Sequence, residues 1–112
     1  MYTVRVSRTF SAAHAIQGHG RCENVHGHNY RVEVALGAPE LNPPGMVADF
    51  TAIRAALDRI VPDHTMLNER FDFNPTAENL ARWFFDQLAG ELPVTGVTVW
   101  ENDDCCAEYR PG

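Results

Sequence analysis

The sequence contains no lysine, so all nine of its basic residues are arginines. Fifteen Asp and Glu residues outnumber them and give a formal net charge of −6. Because nucleic-acid binding depends on a basic surface, this balance argues against a nucleic-acid partner. An anionic substrate would have to be held by a local cluster of cationic side chains, since the overall field is negative.

The sequence also lacks any apolar run long enough to span a membrane, and its N-terminus has no charged-then-apolar signal pattern. It has only three cysteines, and two of them, Cys105 and Cys106, are adjacent. An odd number with adjacent members is not the pattern of a secreted disulfide framework. We therefore expect a soluble, cytoplasmic protein with no membrane partner.

A length of 112 residues predicts a single domain, 1–112, with a small core. Alternating apolar and polar side chains predict a strand over 2–10 and a second strand that starts near His28. After a loop rich in proline, helical spacing of apolar residues predicts a helix from Asp49 to Pro62 and another from Thr76 to Gly90. Alternation returns over 97–100 and 105–110, which predicts two more strands.

The predicted order is thus strand, strand, helix, helix, strand, strand. Both helices have one apolar face, so we expect an α+β fold in which they cover one face of a four-stranded antiparallel sheet. The other face and the edges of such a sheet remain open, which favours assembly with further copies of the chain.

Three histidines form a candidate metal site. His26 and His28 are two residues apart, so their side chains share one face of a strand, and His14 would come from the end of the preceding strand. Three imidazoles with an open fourth position are typical of a catalytic zinc site. A His-x-His pair also occurs by chance on surfaces, so this spacing alone leaves the site open.

Cys22 lies four residues before His26 and allows three interpretations. A thiol beside a metal can act as a nucleophile or as an acid or base. It could instead be the fourth ligand of a structural zinc in a module without enzymatic activity. A zinc hydrolase with three histidine ligands would not need the thiol at all.

Three further spots carry carboxylates. Asp63 precedes His64, and an Asp can orient a His that transfers protons. The alternative is that the pair caps the end of the first helix. Glu78 falls in the first turn of the second helix, where the helix dipole favours acids. Glu101 shares the apolar face of the third predicted strand, so its charge needs a partner, either a ligand with paired N–H donors or an arginine.

Several short motifs occur in a fixed order along nearly the whole chain. They are Phe10-Ser11-Ala12-Ala13-His14, Cys22-x3-His26-Gly27-His28, Val47-Ala48-Asp49-Phe50, Asp63-His64-x-x-Leu67-Asn68, Pro75-Thr76-x-Glu78-Asn79 and Val99-Trp100-Glu101. Together they closely resemble the 6-pyruvoyl-tetrahydropterin synthase family, in particular its 6-carboxytetrahydropterin synthase branch from queuosine biosynthesis.

The resemblance implies a role for each matching residue. His14, His26 and His28 would bind Zn2+, and Cys22, Asp63 and His64 would be the catalytic proton-transfer groups. Glu101 would anchor the pterin ring, with Thr76 and Glu78 lining its pocket. The implied fold is the tunnelling fold, or T-fold, which assembles into barrels. We accordingly expect a homohexamer of two trimers, with active sites at subunit interfaces.

The reaction implied by the resemblance starts from 7,8-dihydroneopterin triphosphate. It yields 6-carboxy-5,6,7,8-tetrahydropterin, acetaldehyde and triphosphate, and the alternative within the family is the pyruvoyl-forming elimination of triphosphate. The short chain favours the carboxy branch. The absence of lysine is a departure, because Arg8, Arg21 or His19 would then have to bind the triphosphate.

Overall fold

The computed structural model describes residues 1–112. The strands are β1 (Tyr2–His14), β2 (His26–Ala38), β3 (Thr65–Met66), β4 (Val94–Trp100) and β5 (Cys106–Tyr109). The helices are α1 (Phe50–Asp58), α2 (Leu67–Arg70) and α3 (Ala77–Leu88), and a short 3-10 helix spans Gly20–Glu23 between β1 and β2.

The sheet contains five strands in the order β3-β1-β2-β4-β5. The four longer strands pair antiparallel in the predicted order, whereas β3 pairs parallel with β1 through Thr65 and Met66. The expected four-stranded antiparallel sheet therefore gains a two-residue parallel edge strand, and α2 follows it directly. A strand of two residues is too short for alternation to reveal it, and only its pairing with β1 defines it.

The first two strands are longer than the apolar alternation predicts. β1 continues through residues 11–14, and its pairing with β2 runs without interruption from Tyr2 opposite Ala38 to His14 opposite His26. The extension matters for function, because it places the first histidine of the candidate metal site directly across from the second.

Side-chain caps begin both long helices as the sequence predicts. The Asp49 carboxylate accepts a hydrogen bond from the N–H of Thr51 at the start of α1, and the Thr76 hydroxyl accepts one from the N–H of Asn79 at the start of α3. The predicted apolar stripe of α3 is buried throughout, namely Ala77, Leu80, Ala81, Phe84 and Leu88. Helix α1 ends at Asp58, earlier than predicted, so Ile60 and Val61 follow it and are only partly buried.

One hydrophobic core lies between the helices and the sheet face that carries Tyr30, Val32, Val34, Val97 and Val99, all fully buried. The opposite face is polar: Arg5 pairs with Glu33 at 3.6 Å, and the Arg31 guanidinium lies 4.8 Å from the centre of the Trp100 ring. None of the helices has the length and apolar character needed to cross a membrane.

Candidate metal centre and neighbouring cavity

The three histidines converge where β1 ends and β2 begins. One ligand nitrogen from each of His14, His26 and His28 lies within 4.8 Å of the others. Their ring centroids are 4.5–5.1 Å apart and the rings stand nearly edge to face. His14 is fully buried, and the other two are partly buried. The group that the sequence predicts is therefore present in a single chain, and it could hold one metal ion.

Backbone carbonyl groups orient two of the rings. His14 Nδ1 lies 2.8 Å from the carbonyl oxygen of Pro75, and His26 Nδ1 lies 2.7 Å from that of Asn24. A carbonyl oxygen can only accept, so each Nδ1 carries the hydrogen and each Nε2 keeps its lone pair. A hydrogen bond on the outer ring nitrogen is the usual support for a metal-bound histidine.

Two of the Nε2 atoms have no partner within the chain. His14 Nε2 and His28 Nε2 are both buried from solvent and make no hydrogen bond. Buried polar atoms are nearly always paired, so two unpaired nitrogens in one place indicate a partner from outside the chain. A metal ion bound by three neutral imidazoles fits this arrangement.

Burial lowers the pKa of His14, although the Pro75 carbonyl and the charge of Glu101 act against this effect. A lowered pKa keeps the imidazole neutral near pH 7, which is the form that binds a metal. Tyr30 supports the same ring, because its hydroxyl oxygen lies 3.0 Å from His14 Nδ1. Burial raises the pKa of Tyr30 well above its usual value, so it stays a neutral phenol.

Sequence analysis missed Tyr30 as a site residue, although a signal for it was present. Tyr30 continues the series His26 and His28 at two-residue spacing, so all three side chains share one sheet face. The alternation of apolar and polar residues is equally that of a core position. The Tyr30 ring is indeed fully buried, and it stacks on the Phe10 ring with the two ring centroids 4.9 Å apart.

Glu101 lies next to the histidine group. Its Oε2 is 3.7 Å from His28 Nε2, and its side chain is 28% exposed. Within the chain its ion-pair partner is His28 rather than an arginine. Glu101 and Glu78 line one cavity of about 200 Å³ together with Ala77, Cys105, Cys106 and Ala107. The structure thus brings two of the predicted substrate-binding carboxylates together beside the metal ligands.

Thr76 lies at the start of α3, with its hydroxyl engaged as the helix cap, and it is not among the residues that line this cavity. It belongs to a segment that links several parts of the site. Asn74 bonds to the loop after β1, Pro75 orients His14, and Glu78 reaches the cavity.

Asp63 and His64 lie outside the group of three histidines. Asp63 Oδ1 accepts a hydrogen bond from the N–H of Ser11 at 2.8 Å, and its Oδ2 lies 3.5 Å from His64 Nε2. His64 adopts a left-handed backbone conformation with φ of 55°, and its side chain is 83% exposed. The two residues are therefore paired with each other, and the imidazole points away from the core of its own chain.

A second cavity adjoins this pair. It measures about 420 Å³, and Ser11, Ala13, Gly27, Asn29 and His64 contribute to its lining. The four residues from β1 and β2 in this set belong to the sheet face opposite the three histidines, because they occupy the alternate positions of those strands. His28 and Ala12 also line this cavity, so His64 and one of the three histidines border the same space within one chain.

Cys22 lies in the 3-10 helix and is partly buried. Its sulfur is not part of the ligand group, which consists of the three histidines. The structural-zinc interpretation requires the thiol as a fourth ligand, and this geometry gives it no support. Of the expected triphosphate ligands, Arg8 is engaged elsewhere, because its guanidinium binds both carboxylate oxygens of Asp58 at 2.6 and 3.2 Å.

Solved structures with the same backbone arrangement define the class of this protein. The 6-pyruvoyl tetrahydropterin synthase of Caenorhabditis elegans matches with a TM-score of 0.88 and 27% identity, covering 99% of this chain and 96% of that one. The enzyme of that name from Plasmodium vivax matches with a TM-score of 0.73 at 18% identity, which supports the fold alone. The protein is therefore an α+β protein of the T-fold class.

Sequence comparison then gives the family. The family model described as 6-pyruvoyl tetrahydropterin synthase matches residues 3–112, and this chain belongs to that family of pterin synthases. The resemblance seen in the sequence motifs is thereby confirmed.

Curated relatives point to more than one activity within the family. A protein of Archaeoglobus fulgidus, provisionally described as a 6-carboxy-5,6,7,8-tetrahydropterin synthase, is 43% identical and covers 96% of this chain and 94% of its own length. A Synechocystis 6-carboxy-5,6,7,8-tetrahydropterin synthase is 34% identical over 97% of this chain and 93% of its own length. A dihydroneopterin monophosphate aldolase of Pyrococcus furiosus is 33% identical and covers 91% of both chains.

Proposed function

We propose that this protein is a zinc-dependent 6-carboxy-5,6,7,8-tetrahydropterin synthase. It converts 7,8-dihydroneopterin triphosphate and one water molecule into the 6-carboxypterin, acetaldehyde and triphosphate, the water supplying the third oxygen that the carboxylate and the aldehyde need. The observation that carries the proposal is the pair of buried, unpartnered Nε2 atoms of His14 and His28 beside the Glu101 carboxylate. The names of the Archaeoglobus and Synechocystis relatives support the choice of product.

Zinc suits the donor set, because three neutral nitrogen ligands and an open position are its usual catalytic arrangement. When bound by His14, His26 and His28, it would supply Lewis-acid polarisation of the oxygen atoms on the substrate's side chain. The remaining chemistry, namely holding the ring and moving protons, falls to the protein's own residues.

Glu101 is the residue that best fits the pterin ring. The 2-amino group and N3 of a pterin present two adjacent N–H donors, and a carboxylate can accept both as a bidentate pair. Glu101 Oε2 lies 3.7 Å from His28 Nε2. A pterin ring bound by Glu101 would therefore lie next to the three histidines, with its substituent within their reach. Glu78 lines the same cavity and adds a second acceptor.

Cys22 is the proposed base on the metal side of the substrate. It belongs to the loop that joins two of the proposed zinc ligands, His14 and His26, and a thiol can accept and return a proton during a reaction. His64, oriented by Asp63 at 3.5 Å, is the proposed partner in proton transfer. Because the His64 side chain is 83% exposed and outside the histidine group, we propose that it serves the site of a neighbouring subunit.

Product analysis tests the proposed reaction. The purified, zinc-loaded protein is incubated with 7,8-dihydroneopterin triphosphate, and the pterins and aldehydes are identified by mass spectrometry. A 6-carboxypterin with acetaldehyde is the expected result. A pyruvoylpterin that retains all three side-chain carbons would assign the protein to the alternative activity. A hydroxymethylpterin would indicate the carbon–carbon cleavage of an aldolase, as the name of the Pyrococcus relative suggests.

The zinc hydrolase with three histidine ligands is the more distant alternative. It needs neither Cys22 nor the carboxylates of the neighbouring cavity. Full activity of a Cys22→Ser variant on a simple ester, with no conversion of the pterin substrate, would favour it.

We predict that Glu101→Gln weakens pterin binding by roughly 2–4 kcal/mol, or about 30- to 1,000-fold in Kd, because the ring's N–H donors lose a charged bidentate acceptor. Zinc content and thermal stability should be unchanged. Calorimetric titration of the zinc-loaded variant with a pterin such as sepiapterin measures the effect. Glu108→Gln is the matched control, since Glu108 is exposed and pairs with Arg110 at 3.2 Å. Unchanged affinity would remove Glu101 from the site.

We predict that the protein is a homohexamer whose active sites combine residues of neighbouring subunits. Light scattering should show a hexamer, and a fully active monomer would contradict the prediction. Mixing inactive Cys22→Ala subunits with inactive His64→Ala subunits, followed by dissociation and reassembly, should restore part of the activity, because some interfaces then contain both intact residues. Mixing either variant with itself is the control and should restore none.

A further inference from the structure

We propose that Asn68 and Asn74 are positioning residues that hold the Cys22 thiol in place for the reaction. The inference rests on the proposed function of Cys22 and deepens it. Its basis is a pair of side-chain amides that hydrogen-bond to the backbone of the loop between β1 and β2 at two points.

Each asparagine makes two hydrogen bonds to a single backbone unit. Asn68 accepts from the N–H of Ala15 at 2.8 Å and donates to the carbonyl of the same residue at 2.9 Å. Asn74 accepts from the N–H of Gln17 at 3.0 Å and donates to its carbonyl at 3.2 Å. An amide has one donor group and one acceptor group side by side, so it replaces the neighbouring strand that β1 lacks beyond His14.

The residue between these two points bonds to Cys22. The N–H of Ile16 donates to the carbonyl oxygen of Cys22 at 2.6 Å. The two amides therefore hold residues 15 and 17, and residue 16 between them is bonded to the backbone of Cys22.

Both asparagines are tied to elements that the site already uses. Asn68 lies in α2, directly after the β3 pairing with β1, and Asn74 precedes Pro75, whose carbonyl orients His14. The segment 68–75 therefore contacts both the loop that carries Cys22 and the ring of the proposed zinc ligand His14. A displacement of about 1 Å at a reacting group can cost on the order of 100-fold in rate, so such a connection has a direct catalytic value.

The test uses Asn68→Asp and Asn74→Asp, each in a Cys105→Ser/Cys106→Ser background that leaves Cys22 as the only thiol. Aspartate keeps the shape and one acceptor but places a second acceptor against the loop carbonyl, so one bond is lost and a repulsion is added. Asn42→Asp, at an exposed position in the loop before α1, is the matched control for the change in charge. The bonds of Asn74 are solvent-exposed, so its variant tests the inference even if Asn68→Asp fails to fold.

Three quantities are measured on zinc-loaded protein: kcat and KM with dihydroneopterin triphosphate, zinc content, and the rate at which iodoacetamide alkylates Cys22. We expect kcat to fall about 10-fold or more with KM nearly unchanged. Zinc should be retained, and alkylation should become about threefold faster or more as the partly buried thiol is released.

An alkylation rate equal to that of Asn42→Asp would overturn the inference, whatever happens to kcat, because the thiol would not have moved. Faster alkylation with unchanged kcat, or a parallel loss of zinc, would overturn it too. If the wild-type protein, with all three cysteines present, fails to convert the pterin substrate, the proposed function fails. The alkylation rates still show whether the two amides hold Cys22.

Discussion

Replacing His26 or His28 with alanine should remove both the bound metal and the turnover of the pterin substrate. The wild-type protein is expected to bind about one zinc per chain, as an open site with three histidine ligands does. Two remaining imidazoles cannot hold the ion against a chelator. Removing a ligand should lower metal affinity and activity by more than the roughly 10- to 100-fold that follows removal of a residue hydrogen-bonded to a ligand. We expect a decrease in kcat/KM of at least about 1,000-fold.

Metal analysis after dialysis against a weak chelator, combined with assays before and after added zinc, checks this prediction. His19→Ala is the matched control, because His19 is exposed in the same loop and does not belong to the ligand group. It should keep its zinc, which is the quantity that this control tests. Full activity of the wild-type protein after complete removal of metal would contradict the assignment of the three histidines.

Replacing Cys22 with alanine should abolish most of the turnover while leaving zinc content and pterin affinity intact. A positioned general acid or base contributes about 100- to 10,000-fold to a rate, so kcat should fall by at least about 100-fold. Turnover should fall without loss of zinc because Cys22 does not belong to the group of three histidines, whose ligand nitrogens lie within 4.8 Å of one another.

Single-turnover kinetics with metal analysis of the same samples would measure the loss. Cys105→Ala serves as the control for zinc content, because Cys105 is also a free cysteine but lies at the cavity that contains Glu101 rather than in the loop between His14 and His26. Loss of zinc together with activity in Cys22→Ala would instead identify the thiol as a ligand, and its proposed role as a base would be wrong.

The large elements of the fold could be predicted from local pattern. Alternation gave the four longer strands, and the caps Asp49 and Thr76 marked the starts of α1 and α3, because both signals are carried by neighbouring residues. The two-residue strand β3 and the four-residue helix α2 could not be predicted in this way. They depend on contacts with β1, which lies about 50 residues earlier in the chain.

The candidate site divides in the same manner. Strand geometry alone puts His26 and His28 on one face, and the sequence marked Glu101 as a charge in need of a partner. Tertiary structure decided that His14 faces His26 across the sheet, that the Pro75 carbonyl selects the ring's tautomer, and that Glu101 meets His28 rather than an arginine.

It also decided that Asp63 and His64 pair with each other outside the group of three histidines. The physical reason is common to all these cases. The periodicity of apolar residues and the capping of helices depend on residues a few positions apart, so the local sequence determines them. A hydrogen bond or an ion pair between distant residues forms only once the sheet register has brought the two residues together.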